Sequence, residues 1–254
     1  MGLDSKIPYC HHTVNPWHGC TPVDAGCTHC YARNLSSRNG GDYWGAGKPR
    51  KYFPDRHWRQ ILKMQHEASM ASEIRRVFVG SMCDVFDAEV SQNWRRKLWD
   101  YLGPTPNLIK IITTKRPENV LKMFPEKWLQ DPRDDFWLLT SISNEETAER
   151  LKIAADLPFK VRGISYEPAI GGVNFRNHLG PFNWLICGGE SIGGRRFEPA
   201  WARDAMVVAN EMSVPFYMKQ VGSRLAKEHG LKDWRGEDPS EWPEDLQVRE
   251  FPEI

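Results

Sequence analysis

Residues 18–31 read HGCTPVDAGCTHCY, and three cysteines fall inside this stretch with the spacing C-x6-C-x2-C. Two glycines and a proline make it a turn-rich loop that can direct three thiols toward one point. Thiolates prefer soft metals, so the loop indicates either zinc or an iron–sulfur cluster. A structural zinc site needs four ligands, whereas a [4Fe–4S] cluster that also does chemistry can use three. The sequence therefore predicts a [4Fe–4S] cluster on Cys20, Cys27 and Cys30.

A zinc site is the alternative interpretation of the same loop. A histidine would then supply the fourth ligand, and His12, His18 and His29 are the candidates. No second C-x-x-C pair follows downstream. A zinc knot would not predict a set of parallel strands whose polar ends point toward it, and the strand pattern described next favours the cluster.

The remaining sequence indicates a globular protein without a membrane segment. Its 254 residues carry a net charge of +1, which neither demands nor excludes a polyanionic partner. There is no apolar run of about 18 residues and no signal pattern at the N-terminus. Three of the six cysteines crowd into eleven positions, a distribution typical of metal binding rather than of a disulfide framework. We expect a soluble, cytoplasmic protein with no membrane partner.

From residue 77 onward, short β-branched runs alternate with amphipathic segments. Successive runs start 23–31 residues apart, the repeat of a βα unit. The six strand candidates are Val77–Asp84, Leu108–Lys115, Phe136–Ser143, Val161–Glu167, Trp184–Glu190 and Pro215–Val221. His11–Trp17 is a candidate first strand, and Val90–Leu102 and Glu145–Leu157 are candidate helices. The pattern predicts an α/β fold with about seven parallel strands, a partial or full parallel (βα) barrel.

This barrel is predicted to be a single domain over residues 1–254. Residues 1–17 form an N-terminal lead and the first strand, and residues 223–254, rich in charge, Gly and Pro, form a C-terminal surface tail. The cysteine loop directly follows the first strand. Because parallel strands carry their working residues at their carboxyl ends, the loop and the polar strand ends should open onto one rim.

A three-cysteine loop after a first strand, followed by βα repeats, resembles the radical S-adenosylmethionine (radical SAM) superfamily, whose usual pattern is C-x3-C-x2-C on a partial (βα)6 barrel. In finer detail the chain is similar to a family of phage and prophage proteins placed near that superfamily. The segments that carry this resemblance are Asn15–Cys20, Gly26–Ala32, Thr114–Pro117, Ser165–Pro168, Gly188–Ser191 and Lys219–Gly222.

The resemblance implies a mechanism. Cys20, Cys27 and Cys30 would hold three irons, and the fourth iron would bind S-adenosylmethionine. One electron from a reductant such as flavodoxin or ferredoxin would cleave a carbon–sulfur bond and give a 5′-deoxyadenosyl radical, which abstracts a hydrogen atom from the substrate. The barrel would orient the cofactor and keep the site dry. A barrel that binds S-adenosylmethionine without reacting remains an alternative.

Polar residues and glycines at the predicted strand ends are candidates for cofactor contact. Ser141 and Ser143 lie two apart and so share a strand face, and hydroxyls suit ribose or carboxylate groups. Glycine lets a ligand approach the backbone closely, and a glutamate beside it can accept from a ribose or an ammonium. The cofactor candidates are Ser81, Ser141, Ser143, Gly188, Gly189 and Glu190. Ordinary strand serines and a tight βα turn are the alternatives.

Three further residues are candidates for chemistry on the substrate. Cys83 shares a strand face with Ser81, and its weak S–H bond could return a hydrogen atom to a radical; the alternative is a buried small apolar residue. Lys115 and Glu167 lie at strand ends, where charged side chains contact substrates more readily than they enter a core. The sequence predicts catalytic roles for Cys83, Lys115 and Glu167.

A basic and aromatic segment lies between the cysteine loop and the second strand. Five Lys and Arg residues occupy the twelve positions 48–59, interleaved with Tyr, Phe and Trp. Such a mixture suits phosphates and stacked bases, so Lys48, Arg50 and Lys51 are candidate nucleic-acid contacts. We expect DNA, RNA or a nucleotide to be modified or repaired. The alternatives are a segment that packs its aromatic residues inward, a peptide substrate, and a metal-stabilised nucleic-acid-binding protein without radical chemistry.

Overall fold

The computed structural model describes residues 2–38 and 40–253, and the chain divides into two compact units. Unit 1 comprises Met1–Pro22, Ala32–Leu139 and Leu157–Lys160. Unit 2 comprises Val23–Tyr31, Thr140–Asp156 and Val161–Ile254.

The strands are short and mostly apolar. They are β1 (His12–Val14), β2 (Trp17–His18), β3 (Lys51–Tyr52), β4 (Arg75–Val79), β5 (Leu108–Thr114), β6 (Phe136–Ile142), β7 (Val161–Tyr166), β8 (Trp184–Gly188) and β9 (Phe216–Gln220). The α-helices are α1 (Tyr31–Arg38), α2 (Asp55–Met70), α3 (Gln92–Leu102), α4 (Val120–Met123), α5 (Glu126–Gln130), α6 (Arg150–Ala155), α7 (Pro199–Glu211) and α8 (Ser223–Glu228).

Within unit 1, β1, β4 and β5 pair in parallel. His12 lies opposite Val77, and Arg75 lies opposite Leu108. The β2 and β3 strands form a separate antiparallel pair. Strand β5 is buried at nearly every position, as expected for a parallel strand covered on both faces.

The helices of unit 1 bury one apolar stripe each. Helix α2 buries Trp58, Ile61, Met64 and Ala68, positions spaced three or four apart. Helix α3 begins after Ser91, whose hydroxyl accepts from the backbone N–H of Asn93 at 3.2 Å. The Tyr52 ring packs against those of Trp58 and Trp94.

Within unit 2, β7, β8 and β9 pair in parallel, with Gly163 opposite Trp184 and Leu185 opposite Phe216. Residues 248–250 then run beside β9, because Met218 N donates to Val248 O at 2.8 Å and Glu250 N donates to Phe216 O at 2.9 Å. This pairing covers the free edge of β9. The C-terminal tail also buries Trp242 and Leu246.

In the part of the chain that the structure describes, seven strands form one sheet in the order β1-β4-β5-β6-β7-β8-β9. The pairs of this sheet that lie within one unit are parallel. An α-helix lies between successive strands of the sheet except β7 and β8, which are connected by a segment with the 3-10 helix Phe175–Asn177. The predicted α/β class with about seven parallel strands is therefore confirmed.

Two sequence predictions of element bounds were wrong. Strand β4 ends at Val79 and does not continue to Asp84, because Gly80 turns the backbone with a φ of +92°. Ser81 and Cys83 therefore lie in a turn rather than on one strand face. The helix predicted over Glu145–Leu157 is a 3-10 helix, Glu146–Glu149, followed by the short α6.

Within the described ranges, none of the helices combines the length and the apolar character needed to cross a membrane.

Candidate functional site

The backbone that leads to Cys20 is fixed within unit 1. Gly19 forms a parallel bridge with Cys83, and Cys20 forms another with Trp44. Gly19 has a φ of +115°, and a Cβ on it would lie 2.4 Å from the carbonyl oxygen of Tyr43. Only glycine fits there. The first cysteine thus emerges from a defined backbone position.

Thr21, the residue after Cys20, is bound at its amide, hydroxyl and carbonyl. Its N–H donates to Asp87 Oδ2 at 3.3 Å, and its hydroxyl accepts from Arg50 Nη2 at 2.6 Å. Its carbonyl oxygen accepts from Arg116 Nη2. Three side chains from distant parts of unit 1 therefore hold the segment that carries Cys20.

Arg116 also contacts the sulfur of Cys20. Its Nη1 lies 3.7 Å from Cys20 Sγ and 2.9 Å from Asp84 Oδ2, and its side chain is buried. Asp84 in turn accepts from the Thr114 hydroxyl at 2.9 Å and from the Lys115 backbone N–H at 3.1 Å. The guanidinium is oriented by this network and points an N–H toward the cysteine sulfur.

The surroundings of Cys20 favour a protonated thiol in the absence of a metal. Burial raises the pKa of Cys20 to about 12, and the nearby Asp84 carboxylate acts in the same direction while Arg116 opposes both effects. A coordinated metal reverses this balance, because it requires and stabilises the thiolate.

Cys83 lies beside Gly19 in the turn after β4, where its N–H donates to Gly80 O at 3.2 Å. Burial, followed by the proximity of Cys20, raises the pKa of Cys83 well above its ordinary value. The thiol therefore keeps its hydrogen at neutral pH, and that hydrogen is what a hydrogen-atom donor needs.

Cys27 and Cys30 lie in unit 2, both half-buried. Cys27 ends a single 3-10 turn, and Cys30 immediately precedes α1. Asp24, just before the turn, forms an ion pair with Arg150 at 2.6 Å. Arg150 also donates to the carbonyl oxygen of Ser141 at 3.2 Å, which ties the cysteine segment to the end of β6.

Arg195 holds the same segment at a second point. Its Nη2 donates to the carbonyl oxygen of Ala25 at 2.8 Å and also to Glu190 Oε1. The Arg195 backbone N–H donates to Glu190 as well. A Cβ on Gly194 would lie 2.1 Å from Glu190 Oε2, so glycine is required where this loop closes over the carboxylate. Glu190, predicted to contact a cofactor, is 5% exposed and is occupied by Arg195.

Packing within unit 2 leaves little space for a side chain at either predicted cofactor glycine. A Cβ on Gly188 would lie 3.3 Å from Gln220 Cγ and from Glu167 Oε1, and one on Gly189 would lie 2.8 Å from the Val221 carbonyl oxygen. Close approach between the ends of β8 and β9 therefore excludes a side chain at Gly189, whatever else binds there.

Glu167 is the centre of a polar cluster at the strand ends of unit 2. Its Oε1 lies 2.6 Å from Lys219 Nζ, and its Oε2 accepts from the Ser165 hydroxyl at 3.2 Å. Its carbonyl oxygen accepts from the Ser141 hydroxyl at 2.9 Å. Ser141, Glu167 and Gly188 are thus brought together, as expected for carboxyl ends of neighbouring strands.

The other predicted residues make local contacts. Ser143 is buried just past β6, and its N–H donates to the Thr147 hydroxyl at 2.7 Å. Ser81 and Asn15 exchange side-chain hydrogen bonds in unit 1. Lys115 follows β5 with a half-buried side chain.

The three predicted nucleic-acid contacts differ in exposure. Lys48 and Lys51 are exposed, and Lys48 pairs with Asp42 at 2.5 Å. The Arg50 side chain is only 2% exposed, and its Nη2 lies 2.8 Å from Asp87 Oδ2. Arg50 Nη1 also donates to three backbone carbonyls of its own loop, those of Tyr43, Gly45 and Lys48. Every part of the Arg50 guanidinium is thus engaged inside unit 1, and its contact with a phosphate stays a prediction.

The donors of the cysteine loop fit an iron–sulfur cluster in their chemistry. All six cysteines lie in the described part of the chain, and none forms a disulfide. Over residues 2–38 and 40–253, the side chains form no group of three or more His, Cys, Asp or Glu residues arranged to hold a metal ion. The fit therefore rests on three cysteines outside any disulfide, in a loop whose neighbouring atoms are held by arginines.

The contacts of these arginines with the cysteine loop were not predicted from the sequence. Arg116, Arg150 and Arg195 each donate to the cysteine loop or to a residue beside it. Arg116 lies in the Thr114–Pro117 segment and Arg195 closely follows the Gly188–Ser191 segment, so the available signal was a cation just after a predicted strand end.

The fold and the residues at its strand ends describe an α/β protein whose polar side chains gather where parallel strands end. The chain belongs to the family described as "Protein of unknown function (DUF5131)", whose model matches residues 4–243. None of the curated protein sequences matches it.

Two solved structures of spore photoproduct lyase are similar to this chain. One, a double variant with bound AdoMet and dinucleoside spore photoproduct, is 17% identical with a TM-score of 0.50, and the match covers 89% of this chain and 61% of that one. The other, a cysteine-to-serine variant, is 17% identical with a TM-score of 0.48 over 90% and 62% of the two chains. The chain thus spans about three fifths of the length of these structures. The similarity to the first of these structures, with its TM-score of 0.50, indicates that the two proteins share a fold.

Proposed function

We propose that this protein is a radical SAM enzyme that acts on a nucleic acid or nucleotide. The observation that carries the proposal is the cysteine loop: three cysteines outside any disulfide, spaced C-x6-C-x2-C, whose flanking atoms are held by Arg116, Arg150 and Arg195. A loop that only turned the chain would not need three buried or half-buried arginines. The fold shared with spore photoproduct lyase, a radical SAM enzyme, supports the same class.

In this proposal Cys20, Cys27 and Cys30 are the ligands of a [4Fe–4S] cluster. When bound, the cluster supplies the electron that cleaves a carbon–sulfur bond of S-adenosylmethionine and so produces a 5′-deoxyadenosyl radical. The protein holds the ligands: Arg116 and the Thr21 contacts orient Cys20, while Arg150 and Arg195 orient the segment that carries Cys27 and Cys30.

The strand-end residues of unit 2 orient S-adenosylmethionine. Ser141, Ser143 and the backbone at Gly188 and Gly189 offer hydroxyl and peptide groups. Glu190 contributes through Arg195, since its carboxylate is already bound there. Glu167, which is paired with Lys219, and Lys115 are the charged groups that would contact a substrate.

Cys83 is the hydrogen-atom donor in this proposal. Its thiol stays protonated because burial raises its pKa. It would give a hydrogen atom to a substrate radical and become a thiyl radical, which one electron from a reductant of the flavodoxin or ferredoxin class and one proton would return to the thiol.

Exposed positive charges of this chain, and its similarity to a structure that holds a dinucleoside, support a nucleic-acid substrate. Lys48, Lys51, Arg56 and Arg59 expose cations on one short stretch of unit 1. The similar solved structure holds a dinucleoside. Phosphates attract such a surface, with an affinity that falls as salt rises.

The test is anaerobic purification and reconstitution, with iron and sulfide counted per chain, followed by reduction in the presence of S-adenosylmethionine. We expect a brown, oxygen-sensitive protein that releases 5′-deoxyadenosine and methionine. A colourless protein with one tightly bound zinc would overturn the proposal and favour a metal-stabilised nucleic-acid-binding protein.

A further inference from the structure

The guanidinium of Arg116 is placed to act on the sulfur of Cys20. Its Nη1 lies 3.7 Å from Cys20 Sγ, within reach of an N–H···S hydrogen bond, and its Nη2 donates to the carbonyl oxygen of the next residue, Thr21. The two contacts fix both the sulfur and the backbone beside it.

The orientation of this guanidinium is set by buried partners. Nη1 also lies 2.9 Å from Asp84 Oδ2, and the two side chains are 7% and 8% exposed. Asp84 is itself held by the Thr114 hydroxyl and by the backbone N–H groups of Lys115 and Phe86. A cation this well anchored cannot turn to water, so its charge acts on the sulfur in a weakly screened environment.

We infer that Arg116 is a positioning residue that raises the reduction potential of the cluster through Cys20. This inference rests on the proposed function. Adding one electron to a cluster held by three thiolates adds one negative charge, and no proton is needed. A cation and an N–H donor at a ligand sulfur stabilise that extra charge, and hydrogen bonds to sulfur are among the levers that set cluster potentials.

Replacing Arg116 and replacing Asp84 should shift the reduction potential in opposite directions. Replacing Arg116 by Gln removes a positive charge and leaves the Asp84 carboxylate unpaired near the sulfur, so both changes disfavour the reduced cluster. Replacing Asp84 by Asn leaves the Arg116 charge uncompensated, which favours the reduced cluster. A residue that served only to hold the fold would not move the potential in opposite directions in the two variants.

The experiment is a redox titration of the reconstituted protein, followed by the electron paramagnetic resonance signal of the reduced cluster, with iron counted in each sample. In Arg116→Gln we expect the ratio of reduced to oxidised cluster at a fixed potential to fall about tenfold, a shift of about 59 mV for one electron. In Asp84→Asn the ratio should rise, and in Arg116→Gln with Asp84→Asn it should return toward that of the native protein.

Arg133→Gln is the matched control, because Arg133 is another partly buried arginine of unit 1 that pairs with an aspartate, Asp135 at 2.6 Å. It should leave the potential unchanged. Arg116→Lys serves if the Gln variant does not fold, since it keeps the charge and should shift the ratio less than tenfold in the same direction.

The outcomes separate the two proposals. Native protein that takes up no iron and sulfide would overturn the proposed function and this inference with it. A full cluster in the native protein and in Arg116→Gln or Arg116→Lys, with the same potential in each, would overturn the role of Arg116 alone. Shifts of the same sign in Arg116→Gln and Asp84→Asn would also overturn it, because they would indicate a general loosening of the site.

Discussion

Lys219 Nζ lies 2.6 Å from Glu167 Oε1 in unit 2, and the two side chains are 16% and 12% exposed. The pair joins the end of β9 to the residue after β7, so it links two strands that are not neighbours, with β8 between them. Gly188, at the end of β8, has no side chain to separate them: a Cβ there would lie 3.3 Å from Glu167 Oε1. The ion pair therefore crosses above the intervening strand through a space that glycine leaves open.

Replacing Lys219 alone should lower the free energy of unfolding more than replacing Lys219 and Glu167 together. Lys219→Met leaves a largely buried carboxylate without its cation, and we expect a loss of about 2 kcal/mol of unfolding free energy, less than a fully buried pair would give. Lys219→Met with Glu167→Gln leaves no unpaired charge and should be more stable than Lys219→Met alone. Urea unfolding of the cluster-free proteins measures the unfolding free energy of each variant. A double variant that is no more stable than Lys219→Met would contradict this account.

The three cysteines of the loop should each be required for iron. Cys20→Ala, Cys27→Ala or Cys30→Ala removes one of three ligands, and we expect iron content after anaerobic reconstitution to fall to a small fraction of the native amount. Cys10→Ala and Cys187→Ala are the controls, because both residues are buried thiols outside the loop. Cys83→Ala should also retain iron. Full iron content in any of the three loop variants would remove that cysteine from the ligand set.

The sequence predicted the strands best where they are continuous and apolar. The runs at β5 and β6 have no glycine or proline, and their predicted ends fall within one residue of the observed ones. The run predicted to end at Asp84 contains Gly80, whose positive φ ends β4 at Val79. A glycine inside an apolar run is compatible with either a strand or a turn, and tertiary packing decides between them.

The sequence proposes the ligands of the candidate site but not the residues that hold them. Spacing alone suggests Cys20, Cys27 and Cys30 as ligands, since the three residues are close in sequence. Arg116 contacts Cys20 across 96 positions, and Arg195 contacts Ala25 across 170. Arginine occurs often on surfaces, and nothing in its local sequence says that it will be buried against a distant carbonyl oxygen. The burial of Arg50 was not predictable for the same reason, because its partner Asp87 lies 37 positions away.

The stability of the protein should rise at alkaline pH because of Lys110. Its Nζ is fully buried and donates to Asp135 Oδ2 at 2.5 Å and to the Thr105 carbonyl oxygen at 2.6 Å. Burial lowers the pKa of Lys110 from 10.5 to about 8, although Asp135 opposes the change. Between those two values the unfolded chain binds a proton that the folded protein has lost, so the unfolding free energy increases with pH, by up to about 3 kcal/mol.

Lys110→Met isolates this effect. The methionine fills a similar volume, and Asp135 keeps Arg133 as its partner at 2.6 Å. We expect the difference in unfolding free energy between native protein and variant to grow in favour of the native protein from pH 8 to pH 10. Other groups that titrate in this range are present in both proteins and cancel in the difference. A difference that stays flat across the range would show that Lys110 remains charged when buried.

Glu190 and Arg195 should act as one unit. If the Glu190 carboxylate serves to hold Arg195 against the Ala25 carbonyl oxygen, then Glu190→Gln and Arg195→Gln loosen the same segment. We expect each to speed the removal of iron by a chelator about tenfold, the size of effect seen for residues that orient metal ligands. Arg196→Gln is the control, because Arg196 pairs with Glu198 and Glu228 at the surface. Weaker binding of S-adenosylmethionine in Glu190→Gln but not in Arg195→Gln would instead indicate direct contact between Glu190 and the cofactor.

Replacing Lys48 and Lys51 should weaken nucleic-acid binding, whereas replacing Arg50 should lower the free energy of unfolding. Lys48→Ala with Lys51→Ala removes two exposed charges, and we expect weaker binding to short DNA or RNA. The slope of the logarithm of the binding constant against that of salt concentration should become shallower by about 0.7–0.9 for each phosphate that the variant no longer neutralises. Arg50→Ala breaks the buried pair with Asp87 and should cost about 3–5 kcal/mol of unfolding free energy.

Fluorescence anisotropy of labelled single- and double-stranded oligonucleotides, measured from about 50 to 200 mM salt, gives the binding constants. Lys63→Ala with Lys160→Ala is the charge-matched control, since both are exposed lysines of unit 1 that, like Lys48, pair with a carboxylate. The control should bind as the native protein does, because a specific surface and not the net charge carries the interaction. Equal losses of affinity in the two double variants would show that Lys48 and Lys51 are not specific nucleic-acid contacts. If the native protein does not bind at the lowest salt concentration, nucleic acids are not the substrate.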